Sequence, residues 1–313
     1  MKGIELSERF YLEYGEPMLR ERFSDIMPFL AVGIAGSGSE CLGFDDCVSR
    51  DHDFEAGFCI FIPDESIVDR KTEFALERAY SKLPKEFMGV KRDELSPVGG
   101  NRRGVIRIGD FLSQRTGRSD AKLELLEWFS IPEQSLAETV GGKIFYDGFG
   151  AITEARNRLE YFPEDVRRKK LAGELLIMGQ AGQYNYSRCI SREDAAAAQL
   201  AVFEFVKSAL HVIFLLNKSY MPYYKWSFKA LSLQKKLSEL YSSLEYLISS
   251  DNSAARVKEK QRTIEEISQA LTAELRIQGI SDYSGGELEG HAYSVNSKII
   301  DSQIRNLHVL YAV

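Results

Sequence analysis

Residues 192–217, REDAAAAQLAVFEFVKSALHVIFLLN, constrain the fold more than any other stretch of the chain. Their apolar side chains fall on nearly every side of a 3.6-residue period. A helix built from them has no face to offer water and must be surrounded by other elements. Two further helical periods, LSLQKKLSELYSSLEYLISS and AARVKEKQRTIEEISQALTAELRIQG, flank the polar turn DNSA and predict an antiparallel helical pair. PEDVRRKKLAGELLIMGQA and, earlier, DAKLELLEWFS carry the same period. Residues 131–313 are therefore expected to be a mostly α-helical bundle, with residues 192–217 at its centre.

The first 130 residues have another texture. Residues 5–24 have helical spacing, and MPFLAVGIAG is a short apolar run broken by glycine, as a strand entering a turn would be. FEAGFCIFIP gives a second strand closed by Pro63. DESIVDRKTEFALERAYSKL predicts a helix with Asp64 and Glu65 in its first turn, and GVIRIGD a third strand. The order strand, loop, strand, helix, strand implies a small mixed sheet backed by helices. The expected fold class is α+β, with a sheet domain over residues 1–130 and the helical domain after it.

Composition narrows the function classes. With 44% apolar and 27% charged residues and a net charge of -6, the chain is suited to a packed core and not to general affinity for a phosphate backbone, so no nucleic-acid partner is expected. The start, MKGIELSERFYLEYGEP, has no apolar core of signal-peptide length, and no run of about eighteen apolar residues occurs. A cytoplasmic protein without a membrane partner is the expectation. Cys41, Cys47, Cys59 and Cys189 form no Cys-x-x-Cys pair, which argues against a disulfide framework or a zinc site. The run Arg167 to Lys170 predicts a solvated basic face. The leucine spacing from Leu231 to Leu247 suits bundle packing, or the seam of a homodimer if exposed.

The stretch GSGSECLGFDDCVSRDHD, Gly36 to Asp53, carries the chemistry. A Walker loop needs Gly-Lys-Ser/Thr where Gly38 is followed by Ser39 and Glu40, and a dinucleotide fingerprint needs a third glycine where Cys41 stands. On a strand Asp51 and Asp53 project to one face, so both carboxylates reach one divalent ion. Uncompensated, they would repel each other. Magnesium, with manganese as the alternative, supplies the missing charge and completes its shell with water and substrate phosphates. Gly36 and Ser37 then offer backbone N–H groups and a hydroxyl to those phosphates. Asp45 and Asp46 either assist the metal or acceptor or cap a helix. Arg50 and His52 point away from the face used by the two aspartates.

A Gly-Ser turn followed by Asp-x-Asp on the next strand resembles the signature of the polymerase-beta-like nucleotidyltransferase superfamily, with Gly36, Ser37, Asp51 and Asp53 in its positions. GIAGSGSECLGFDDCVSRDHDF, WFSIPEQSLAETVGGKIFYDGFG, RLEYFPEDV, GQYNYSRCISREDAAAA and LLNKSYMPYYKW together resemble a bacterial family of nucleotidyltransferase-like proteins with a DUF4037 helical domain. The superfamily resemblance implies magnesium-dependent transfer of a nucleoside monophosphate from a nucleoside triphosphate to an acceptor, with release of pyrophosphate. It also implies a third carboxylate, as metal ligand or base. Asp110 is the first candidate, Asp147 the second and Glu127 the third.

Gln180, Tyr184 and Arg188 recur at a spacing of four with Arg192 a turn further on, so a polar helical face emerges from an apolar region. Arginine forks suit a triphosphate and tyrosine stacks on a base. The alternative is pairing of Arg188 and Arg192 with Glu193 or Asp194. Lys225, held among tyrosines and a tryptophan, is a candidate grip on the triphosphate, with Lys218 behind it. The expected partners are a nucleoside triphosphate, ATP first, and a small-molecule acceptor. A protein-modifying transferase and a catalytically silent nucleotide-binding module are the alternatives.

Overall fold

The structure is a computed structural model, and it describes residues 1–46, 54–92 and 102–313. The chain forms two compact units, Met1–Glu124 with Ile131–Glu160, and Leu125–Ser130 with Tyr161–Val313. Residues 131–160 fall in the first of these. The cause is a strand: Lys143–Asp147 pairs with Ala31–Ile34 and draws the segment after residue 130 into the sheet unit.

In that unit the helices α1 (Gly3–Phe10) and α2 (Glu16–Arg22) join through a π-helical turn, Tyr11–Gly15. The sheet contains β1 (Ala31–Ile34), β2 (Cys59–Ile62), β5 (Gly104–Arg107) and β6 (Lys143–Asp147) in the order β5-β2-β1-β6. Strand β1 is antiparallel to β2 and to β6, whereas β2 is parallel to β5. A parallel neighbour requires a crossover, and α3 (Arg70–Ser81) supplies one. All residues of β1 and β2 are buried, which is why both read as unbroken apolar runs. Phe10, Leu19, Val32, Phe58, Ile60 and Leu76 build the core beside them.

Three local expectations need correction. Helix α3 starts at Arg70, capped by Asp69, whose carboxylate accepts from the Thr72 N–H at 2.8 Å, while Asp64 closes a turn on the Ser66 N–H ahead of the helix. Arg107 ends β5 and Ile108 begins α4 (Ile108–Thr116), so Asp110 lies in the first turn of a helix and not at a strand end. DAKLELLEWFS forms only a 3-10 turn, Glu127–Phe129. Its aromatics serve as separate anchors, Trp128 against Phe162 and Phe129 against Tyr311, and not as one amphipathic stripe. A hairpin, β3 (Glu86–Phe87) with β4 (Val90–Lys91), and the helices α5 (Glu133–Val140) and α6 (Ala151–Arg158) complete the unit.

The helical unit is organised as its central stretch requires. α7 (Glu164–Met178), α8 (Tyr186–Ser191), α11 (Tyr241–Ser249) and α12 (Ala254–Ile277) pack on α9 (Ala195–Leu216), whose start is capped by Asp194. By length and hydropathy α9 would pass for a membrane span. From Phe205 onward it is largely buried among these helices, whereas its first half keeps an exposed side that includes Leu200 and Phe203, so the expectation of a helix enclosed on every side holds only for the second half. α10 (Tyr224–Leu231), α13 (Leu288–Ser297) and α14 (Ser302–Asn306) finish the unit. Leu231 and Leu247 are fully buried, so the leucine spacing is used inside it.

The basic run on α7 is not the solvated face its composition predicts. Lys169 is buried, and its ammonium donates to Asn296 Oδ1 at 2.8 Å and to the Leu307 carbonyl at 2.6 Å. Arg167, also buried, binds both carboxylate oxygens of Glu164 and the Leu215 carbonyl. These cations satisfy backbone groups that distant parts of the chain bring to α7.

His291 gives this unit a pH dependence. The ring is buried, with Nδ1 2.8 Å from the Ser281 hydroxyl and Nε2 3.1 Å from the Gly285 carbonyl and 3.3 Å from Arg276 Nη2. Burial, helped by the Arg276 charge, holds its pKa below 6.5 despite the Gly285 contact and Glu287. The folded state prefers the neutral ring, so this contribution is complete above the unfolded value of 6.5 and is lost as the pH falls below it. Stability should decline there by up to about 1.4 kcal/mol per pH unit. Both tryptophans, Trp128 and Trp226, belong to this unit, so their fluorescence reports its unfolding. His291→Gln should flatten the acid slope.

Candidate functional site

At the end of β1 the backbone turns through Gly36, whose φ of +103° favours a residue without a side chain. The Gly36 N–H donates to the Glu138 carbonyl, whereas those of Ser37 and Gly38 donate to no described group. This turn borders a cleft of about 320 Å³ lined by Ser37, Arg102, Arg107, Asp110, Gln114 and Arg115, among others. Strand β5 and the following α4 bring Arg107, Asp110 and Arg115 to it, because the strand feeds directly into the helix.

Arginines and carboxylates share the cleft unevenly. Arg102 donates from Nη2 to the Ser37 carbonyl at 3.1 Å and to Glu40 Oε1 at 2.6 Å. Arg103 reaches the same Glu40 oxygen at 2.5 Å. Glu40 and Arg103 are both buried, so this is an ion pair withdrawn from water, and it locks the turn to the start of β5. Arg107 binds Glu73 at 2.5 Å and the Pro63 carbonyl at 2.8 Å. Burial, followed by the charge of Glu73, raises the Glu77 carboxyl above its ordinary value. A second hollow of about 580 Å³ shares Glu73, Glu77, Arg107 and Asp110 with the cleft and adds Asp64, Glu65 and Ser119.

Of the residues singled out in the sequence, the structure brings Ser37 and Asp110 to one cleft, with Gly36 directly behind Ser37. Asp51 and Asp53 lie outside the described residues, as do Arg50 and His52. Asp147 is engaged elsewhere: its oxygens accept from the N–H groups of Gly150 and Thr153 at the start of α6. Glu127 belongs to the other compact unit. Asp45 is a helix-terminal group, accepting from the Gly3 N–H at 2.9 Å. Among the described residues no group of three or more His, Cys, Asp or Glu side chains is placed to hold a metal ion.

In the helical unit Tyr184 lies in a π-helical segment, Gly179–Asn185, and is exposed. The Arg188 guanidinium stacks 4.6 Å from its ring centroid and donates to its hydroxyl. Arg192 ends α8, and among the described residues neither arginine forms an ion pair with Glu193 or Asp194. Lys225 lies in the first turn of α10, 5.5 Å from the Trp226 ring. Sequence reasoning missed Glu40, Arg102, Arg103 and Arg115. The only local signal was the pair in NRRG just before a strand, and nothing local tied it to a glutamate sixty residues earlier.

The family model described as a domain of unknown function, DUF4037, matches residues 128–227. That region spans α5, β6 and α6 of the sheet unit as well as α7, α8, α9 and the first turn of α10, so the DUF4037 match and the compact units do not share a boundary. No curated protein matches the chain. Among solved structures, the crystal structure of a nucleotidyltransferase-like protein from Exiguobacterium sibiricum is similar to 91% of this chain and over 91% of its own, at 13% identity and a TM-score of 0.38.

Proposed function

We propose that the protein is a nucleotidyltransferase that binds a nucleoside triphosphate, ATP first, at the Gly36–Ser37 turn. The observation that carries this reading is the turn itself: the N–H groups of Ser37 and Gly38 have no partner among the described residues, and Ser37 borders a cleft furnished with Arg102, Arg115 and Asp110. Backbone donors and guanidinium groups are what a triphosphate needs, and a buried guanidinium nitrogen of Arg115 has no hydrogen-bond partner among the described residues. A polyanion fits these residues. Asp51 and Asp53 would hold magnesium or manganese, which would offset the charge of the triphosphate when bound.

In the proposed reaction an acceptor hydroxyl or amine attacks the α-phosphorus, a new P–O or P–N bond forms, and the bond to the β-phosphate oxygen breaks. Pyrophosphate leaves with that electron pair, while Asp110 takes the acceptor proton. The proposed acceptor is a small molecule.

The test is metal-dependent pyrophosphate release over a panel of hydroxyl and amine acceptors. Asp110→Asn should lower turnover by about 100- to 10,000-fold while leaving ATP affinity within a few-fold. Metal-dependent ATP binding without turnover on any acceptor would favour a silent nucleotide-binding module. Unchanged turnover in Asp110→Asn would remove that residue from the base role.

A further inference from the structure

We infer that Arg115 holds a phosphate of the polyphosphate chain and fixes it against the Gly36–Ser37 turn. This rests on the phosphate-binding role proposed for that turn and adds a residue that no sequence motif marks. Arg115 lies on the last turn of α4, half-buried, with its guanidinium 4.1 Å from the Phe111 ring centroid and Nη1 donating to the Phe111 carbonyl at 3.1 Å. Its Nε is buried with no hydrogen-bond partner among the described residues. Among the described residues no carboxylate forms an ion pair with it; Glu138 acts on it only at longer range.

The other arginines around the cleft are committed, Arg102 and Arg103 to Glu40 and Arg107 to Glu73. Arg115 is the exception among them, and it points at the turn: a Cβ added to Gly36 would stand 2.7 Å from its Nη2. A half-buried cation without a counter-charge is costly, and a fork held by an aromatic ring is already ordered for a bidentate anion. The missing counter-charge is therefore the ligand's. A phosphate seated on the Ser37 and Gly38 N–H groups would meet both conditions.

The same features that make Arg115 useful to the ligand make it a burden to the free protein, and that separates a binding role from a structural one. The experiment titrates the full chain with magnesium ATP and with magnesium tripolyphosphate, on wild type, Arg115→Gln and Arg115→Lys, with thermal unfolding of each free protein. Arg115→Gln should weaken both ligands by the same factor, about 10- to 100-fold, with Arg115→Lys in between. Its free form should unfold no earlier than wild type. Undiminished binding in Arg115→Gln would overturn the inference and leave the nucleotide reading standing. Loss for ATP alone would overturn it by placing Arg115 against the nucleoside, and earlier unfolding of Arg115→Gln would make it a structural residue. A wild type that binds neither ligand would overturn both the inference and the reading beneath it.

Discussion

Glu40→Ala is expected to remove about 3–5 kcal/mol from the sheet unit, a large share of the 5–15 kcal/mol that typically holds a domain. The glutamate is 6% exposed and receives Arg102 and Arg103 on one oxygen. Truncating it leaves the Arg103 guanidinium, 3% exposed, with no other carboxylate in ion-pair contact among the described residues. That uncompensated charge, more than the lost attraction, sets the size of the effect. Both tryptophans report the helical unit, so the measurement is amide exchange in β1 and β2, which should accelerate by about 100- to 1,000-fold or more if global opening governs it. The double change Glu40→Leu with Arg103→Met should recover much of the loss, because it removes both buried charges together. Unchanged exchange in Glu40→Ala would show that the pair does not hold the turn to β5.

The second large effect concerns ligand binding. Asp51→Asn with Asp53→Asn should weaken magnesium-ATP binding by at least about 100-fold, since a divalent ion that offsets triphosphate charge contributes several kcal/mol and amides are poor replacements for hard anionic ligands. With magnesium chelated, the difference between wild type and variant should shrink or reverse, because two unneutralised carboxylates repel the triphosphate. That reversal separates a metal-holding pair from two aspartates that only support the fold.

How much of this was legible depended on how local the cause was. The helix from Ala195 to Leu216 could be read from its period, and the burial of its second half from its apolarity, but not the exposed side of its first half, where Leu200 and Phe203 face outward. The strands Ala31–Ile34 and Cys59–Ile62 could be read for the same reason, being covered on both faces. Lys143–Asp147 was less legible as part of the sheet: its side chains are only partly buried, and its partner lies more than a hundred residues earlier. Lys169 misled for a related reason, since the carbonyls that make burial tolerable come from residues 305 and 307. In the cleft, the Gly36–Ser37 turn was visible because a backbone turn with positive φ leaves a local glycine motif. Arg115 was not, since its meaning depends on which carboxylates the fold withholds from it. Asp110 was found by residue type and assigned to the wrong element, because the change from β5 to α4 within GVIRIGD carries no break in hydrophobicity.

The first measurement is calorimetric titration of the full chain with magnesium ATP, on wild type and on Asp51→Asn/Asp53→Asn. Metal-dependent binding by the wild type that largely disappears in the variant is the expected result for a metal-triphosphate site built on the Gly36 turn. No binding by the wild type, or equal binding by both proteins, would contradict it.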